Sequence, residues 1–410
     1  MEEITPTNRF TVFYFLMQGI ASQISWNAVL NGIDYFMIKY SKYDVYIIVP
    51  IVITLAQLTC CSLILKISQK FSLNLRIFFS LIILSLILIF LPLEASFFAG
   101  TAFGFYLLLG ILFFMGFFNT VLAASLSGIV SLFPAKYASY NMIGTSCAGL
   151  LMNALRAFFL VSIRHRPYGD MLGITLYFGV SGLFVIGCML IHPMFVRSDH
   201  YREHLVKPEE VLPSLAGDHE VELIKRHSSS GASRKDFRAL LGALKEVYGL
   251  LLLMLLTQVQ TFITFPQMML KNPMEGMPLE WKLVTMVAAF QGSCAVGQQL
   301  AQYKKHYNQG IVVFTIIFRT IFAALFIVQA VKTDLGVVNT VWFAYLNIFF
   351  FAATFGFVQT ALFILATSTV QVDKKEVVGY TTVFIMILGV CLGAIFSLPL
   401  KNVGSVDLPI

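Results

Sequence analysis

Residues 75–93 read LRIFFSLIILSLILIFLPL, nineteen positions with a single charge, Arg76, near the leading edge. As helix this run covers about 28 Å at roughly 1.5 Å per residue, close to the ~30 Å hydrocarbon thickness of a bilayer. A chain in lipid must pair its own backbone N–H and C=O groups, so only helices and closed barrels cross. The run is continuously apolar rather than alternating, which selects helix. Similar runs lie at 10–33, 45–65, 103–130, 138–161, 171–195, 245–269, 281–302, 310–331, 339–368 and 377–399. The chain has 410 residues, 58% hydrophobic and 12% charged, with a mean hydropathy of +0.81. That composition lies outside the soluble range and predicts an all-α integral membrane protein with eleven spans. The first run is too long, and too polar at its centre, for a cleaved signal peptide.

The longest polar stretch, 196–244, divides the spans into an N-terminal bundle of six (1–195) and a C-terminal bundle of five (245–410). It mixes charges of both signs with a Ser-rich basic run around Ser228, Ser229 and Ser230, which reads as a cytoplasmic linker. With the N-terminus inside, 18 Lys and Arg fall on the cytoplasmic side and 8 on the other, so the N-terminus is expected to be cytoplasmic and the C-terminus extracellular. The net charge of +7 follows from that topology and signals no nucleic-acid partner. All six cysteines lie in expected spans, with neither disulfide nor metal-ligand spacing. No cofactor is expected.

Polar groups inside a bilayer need a partner or a wet cavity, so they mark function. In the first span Gln23, Asn27 and Asn31 recur every four residues, beside Trp26. In the fourth, Asn119, Ala123 and Ser127 share a face, in the fifth Asn141, Thr145 and Asn153, in the seventh Gln260, Thr264 and Gln267, and in the eighth Gln291, Cys294 and Gln298. Each amide alone is as readily a helix-to-helix bond. Five such stripes together suit a cavity for an uncharged polar solute. Arg319 lies near mid-span with no acid within a span to pair with, and a fixed role capping carbonyls of a neighbouring helix is expected. Arg156 is expected to snorkel to headgroups, and Asp34 and Glu94, at span ends, to be solvated. Without a carboxylate or His well inside a span, transport uncoupled from protons is expected. His192 stands apart from any nucleophile or metal cluster, so no enzyme activity is expected.

These residues also resemble a family, the equilibrative nucleoside transporters. Trp26-Asn27 followed by Asp34-Tyr35-Phe36 is similar to its first-span motif. The stretch 116–134, GFFNTVLAASLSGIVSLFP, and its continuation AKYASYNMIGTSCAG resemble its fourth and fifth spans. Phe265-Pro266, Arg319, Gly356 and the Gly-rich run 388–397 fall in the matching order. The resemblance runs from about residue 16 to 400. It implies a major-facilitator-type fold, six spans then five, with a central cavity that opens alternately to each side. It implies facilitated diffusion of nucleosides or nucleobases, and expects a plasma-membrane location. The resemblance places solute contacts at Trp26, Asn27, Ala123, Gln291, Cys294 and Gln298, and the polar stripes add Asn31 and Ser127. Gating or structural roles fall to Arg319, Phe265, Pro266 and Gly356. The departures are chemical: the family's fourth-span Gln is Ala123, and its eighth-span Asp and Arg are Cys294 and Gln298. Losing acid and base together avoids a lone buried charge, and it leaves a porter for another small solute, or a receptor, as alternative readings.

Overall fold

The computed structural model describes residues 8–43, 45–163, 168–205, 232–265, 279–303, 307–331, 336–397 and 399. The apolar runs wind into α1 (Arg9–Asn31), α3 (Val45–Lys70), α4 (Leu73–Phe97), α5 (Ala102–Leu132), α6 (Ala135–Ile163) and α7 (Gly169–Val196), with α2 (Ile33–Lys39) and α8 (Asp199–Leu205) as short pieces. Then follow α9 (Ala232–Thr264), α10 (Leu279–Leu300), α11 (Gln309–Val331), α12 (Val341–Thr369) and α13 (Val372–Ser397). Capping side chains set several starts. Asn8 accepts from the N–H groups of Phe10 and Thr11, Thr101 from Gly104 and Thr340 from Phe343, each satisfying a donor that the first turn leaves free.

Among the described residues, every long helix overlies one expected run. Eight of them (α4–α7, α9 and α11–α13) are long and apolar enough to cross a membrane. The described apolar part of α3 is short, 48–64. Polar residues interrupt the other two, Gln18, Gln23, Asn27 and Asn31 in α1, and Lys282, Gln291, Gln298 and Gln299 in α10. Large apolar side chains such as Phe90, Phe114, Leu183 and Phe314 are exposed on the outside, as lipid-facing surface requires.

Two tight crossings organise the helices. Gly19 of α1 lies on α6 so closely that an added Cβ would come within 2.2 Å of the Asn141 carbonyl oxygen, and one on Gly144 within 2.3 Å of that of Leu16. In the second group, Gly297 of α10 and Gly356 of α12 do the same, at 1.8 Å from the Ala353 oxygen and 2.1 Å from the Cys294 oxygen. Small residues that let backbones meet are how membrane helices associate where lipid removes the hydrophobic drive. Further packing joins α4 to α5 and α7, α3 to α5, and α9 to α12 and α13. The early helices meet the late ones chiefly where α6 lies against α10 and α5 against α13.

The stretch expected as a linker contains more helix than its composition suggested. It holds α8, and α9 begins at Ala232, so that helix runs 33 residues, about 50 Å at roughly 1.5 Å per residue. Tyr201 of α8 is tied back by donating to Asn74 Oδ1 (2.9 Å). The run Ser228–Ser229–Ser230 and the expected site residue Pro266 lie outside the described residues.

Candidate functional site

The α1 stripe forms, but its amides bond first to their own helix. Asn27 Nδ2 donates to the Gln23 carbonyl (2.9 Å) and Asn31 Nδ2 to the Asn27 carbonyl (2.9 Å). The i→i−4 carbonyl is within reach of a short amide side chain, so it competes with any solute. Trp26 is half-buried against the main core. On α5, Asn119 is buried with Oδ1 lacking a partner among the described residues. Ala123 and Ser127 face α13: Ala123 packs on the cluster containing Tyr380 and Val383, and the Ser127 carbonyl lies against Gly379.

Three expected residues converge on α10, which sits between α6 and α12. Gln291 lays its side chain over Gly149 of α6, where an added Cβ would come within 2.5 Å of Gln291 Cγ. One turn on, Cys294 is buried, with its backbone carbonyl and its thiol against Gly356 of α12. Gln298 is 1% exposed, and its Oε1 has no partner among the described residues. An unmet buried amide oxygen costs about 1–3 kcal/mol unless water or a ligand donates to it. Phe265 stacks on Phe290 at 4.4 Å between ring centres.

Arg319 is completely buried within the second group of helices. Its guanidinium donates to the Thr257 carbonyl (3.1 Å), Gln260 Oε1 (2.9 Å) and Thr261 Oγ1 (2.9 Å), all on α9, and lies over the rings of Phe351 and Phe355 at 4.6 and 5.4 Å. Carbonyl, amide and hydroxyl oxygens with two ring faces stand in for the missing acid.

Three expectations are corrected. Arg156 does not snorkel: it is 7% exposed and forms an ion pair with Asp34. The helix breaks at Gly32, and α2 turns Asp34 back towards α6, so the carboxylate, 35% exposed, is paired with the guanidinium rather than fully solvated. Glu94 is not solvated either: it is 6% exposed and accepts a 2.7 Å bond from the Tyr40 hydroxyl.

A third constellation went unread. Arg76 of α4, 4% exposed, donates to the Tyr380 hydroxyl (2.8 Å), lies over that ring and pairs with Glu376 of α13 at 3.7 Å. Tyr380 also donates to Glu376. Beside them an added Cβ on Gly128 would come within 2.7 Å of the Tyr380 ring. This charged knot joins the early helices to the late ones at the end where α4 and α13 begin. The only advance signal is an Arg at the start of the most apolar run and an acid at the start of the last one. His192 meets the Tyr14 hydroxyl at 2.8 Å, and among the described residues no group of three His, Cys, Asp or Glu could hold a metal.

The structure outlines cavities of about 460 Å³, lined by Leu300, Tyr303, Tyr307, Ile311 and Phe357, and about 320 Å³, lined by Tyr35, Ile38, Lys39, Tyr168, Gly169, Asp170 and Met171. Neither contains an expected site residue.

Comparison with known proteins follows the same architecture. The chain superposes on the proton:xylose symporter XylE of the major facilitator superfamily with a TM-score of 0.68 over 96% of this chain and 88% of that one, at 12% identity. It superposes on FucP, a major facilitator transporter crystallised in the outward conformation, with a TM-score of 0.63 over 96% and 90%, at 11% identity. The fold is therefore of the major facilitator type. Among sequences, equilibrative nucleotide transporter 8 of Arabidopsis thaliana is 22% identical over 97% of both chains. Equilibrative nucleotide transporter 1 of the same plant is 22% identical over 94% of this chain and 84% of its own. A family model described as nucleoside transporter matches residues 109–402, well over half the chain, and the chain belongs to the nucleoside transporter family.

Proposed function

We propose that the chain carries nucleosides or nucleobases across a membrane by facilitated diffusion. In this reading residues 1–195 and 245–410 rock as two bodies of six and five spans about a central solute. The N-terminus is cytoplasmic, the C-terminus extracellular and the membrane the plasma membrane. The observation that carries the proposal is α10. It bears Gln291, Cys294 and Gln298, is wedged between α6 of the early helices and α12 of the late ones, and keeps an unmet amide oxygen at Gln298. Neutral donors and acceptors of this kind recognise a base or ribose without imposing a charge requirement. Asn27, Asn31 and Trp26 contribute from α1, Ala123 and Ser127 shape the α5 wall, and Arg319, Phe265 and Gly356 hold the second body together. The solute itself supplies the donors that Gln298 lacks, and no covalent step or cofactor is involved.

The test is counterflow in proteoliposomes against a panel of nucleosides, nucleobases, sugars and amino acids. Saturable exchange competed by nucleosides or nucleobases is expected, with Asn27→Ala and Gln298→Ala each lowering it at least fivefold. Binding without exchange would make the chain a receptor. Exchange competed only by sugars or amino acids would instead support a porter for another solute, a reading favoured by Cys294 and Gln298 standing where the family has charges. Collapse of uptake on abolishing a pH gradient would overturn uncoupled transport.

A further inference from the structure

The polar stretch between the two bodies opens with α8, and α8 is fastened to the helix ends beside the charged knot. It leaves α7 through a turn in which Ser198 Oγ accepts from the Tyr201 N–H (3.3 Å) and the Ser198 carbonyl from the Arg202 N–H (3.3 Å). Arg202 and Glu203 stay exposed, while Tyr201 swings back and is buried. Its ring meets Phe195 of α7 edge-on at 5.4 Å, and its hydroxyl donates to Asn74 Oδ1 in the first turn of α4. His200, beside it, lies 5.7 Å from the rings of Phe133 and Tyr137, where α5 ends and α6 begins. A phenylalanine would fill the same space against Phe195; the Tyr201 hydroxyl adds only the tie to Asn74.

That tie lands two residues before Arg76, whose guanidinium crosses to Tyr380 and Glu376 of α13. The start of α4 needs it. Its own cap is weak, with Ser72 Oγ accepting from the Leu75 N–H at 3.4 Å, at the long end of hydrogen-bond geometry, and a poorly capped first turn frays. Burial first, and the nearby Glu376 carboxylate after it, push the Tyr201 phenol up, against the lowering effect of its bond to Asn74, so the hydroxyl keeps the proton it donates. We propose that α8 is a strap that positions the knot, the Tyr201–Asn74 bond holding the first turn of α4 where Arg76 meets α13. Tyr201 is then a positioning residue for closure of the two bodies at this end. The inference rests on the two-body reading above and not on the identity of the solute.

Distances between spin labels at the exposed positions Lys70 and Gln371, in the solute-free full chain with the native cysteines replaced, test this. Tyr201→Phe, which keeps the ring on Phe195 and removes the bond, is expected to raise the fraction at the longer distance about two- to tenfold, the worth of one such bond, and Asn74→Ala to do the same. In a Glu376→Gln background Tyr201→Phe is expected to add less than about twofold, because the strap acts through the knot. Arg319→Lys, whose contacts lie within the second body, is expected to melt earlier with an unchanged distribution, which separates closure from stability. A distribution that shifts in Glu376→Gln and not in Tyr201→Phe overturns the strap alone, as does an equal effect of Tyr201→Phe with and without Glu376. A distribution unmoved by either change overturns the strap and the rocking of two bodies together. No solute is present, so an absence of nucleoside exchange in proteoliposomes would refute the transport reading without touching this one.

Discussion

Replacing Glu376 by Gln is expected to loosen the knot that ties α4 to α13. Glu376 pairs with Arg76 at 3.7 Å, with the two side chains 37% and 3% exposed. The exposed carboxylate screens the pair and lowers its worth below that of a fully buried one. The guanidinium is also imperfectly met, since Nε and Nη1 are buried without partners among the described residues. Glu376→Gln nevertheless leaves a buried cation with only the Tyr380 hydroxyl and ring, a loss of about 1–2 kcal/mol from the observed packing. If that packing belongs to one conformation of the carrier, its population relative to the opposite one falls about five- to thirtyfold. Arg76→Gln is expected to cost less, because the carboxylate it strands reaches solvent while the stranded guanidinium does not. The assay is the distance distribution between spin labels at the exposed positions Lys70 and Gln371, with the native cysteines replaced. Glu376→Gln is expected to add a longer distance, and Arg76→Gln a smaller fraction of it. Identical distributions in all three proteins would refute the assignment of this contact as a conformational latch, even if both variants melted earlier.

Arg319→Lys is expected to lower the melting temperature in detergent, losing about 1–3 kcal/mol, because one ammonium cannot reach the Thr257 carbonyl, Gln260 and Thr261 together while lying over two rings; an unchanged melt would count against the structural role. Gly297→Ala is expected to abolish folded protein on size exclusion, since its Cβ would come within 1.8 Å of the Ala353 oxygen, whereas Gly110→Ala, with open space around it, is expected to express normally. Asp34→Asn is expected to destabilise by about 1–3 kcal/mol, discounted because the carboxylate is 35% exposed. Adding Arg156→Gln should then cost less than the sum of the two single changes; strict additivity in thermal unfolding would show that the two groups do not interact.

The spans were legible because lipid leaves the sequence little choice: a crossing helix must be apolar for some twenty residues, and that pattern needs no knowledge of neighbours. Partnerships were not legible. Asp34 and Arg156 lie 122 positions apart, Tyr40 and Glu94 54, and Arg76 and Tyr380 304. Nothing along the chain says that Gly32 breaks the helix so as to aim Asp34 inward, or that an Arg counted towards the positive-inside tally turns in to meet a distant acid. The amide stripe of α1 was visible as a period of four, and the same period is what lets each Asn bond the carbonyl one turn back. Ala123 packs on the apolar cluster that contains Tyr380 and Val383, and the Ser127 backbone carbonyl lies against Gly379, so this part of α5 is held on α13. The linker looked like tether because charge dominates its composition, yet from Ala232 its polar residues form the first turns of α9.

The two contacts of α10 differ in kind, and that difference indicates where the molecule can move. Against α12 the approach is backbone to backbone, through Gly297 on Ala353 and Gly356 on Cys294, and any slide of one helix past the other would drive a side chain into a main-chain atom. Packed interfaces of this sort shift between discrete arrangements or not at all. Against α6 the contact is made by the flexible Gln291 chain lying across Gly149, and a Gln can change rotamer and follow a moving neighbour. In the opposite seam Gly379 meets Ser127 and Gly128 meets Tyr380 beside the Arg76 knot, and the packing continues through Val121, Ala124 and Val383. A rigid α10–α12 unit and a pliable α6–α10 seam, with the Arg76 knot fastening α4 to α13, suit a rocking carrier. The hinge side must therefore be sought at Gly149 and Gln291, and the latch at Arg76, Glu376 and Tyr380.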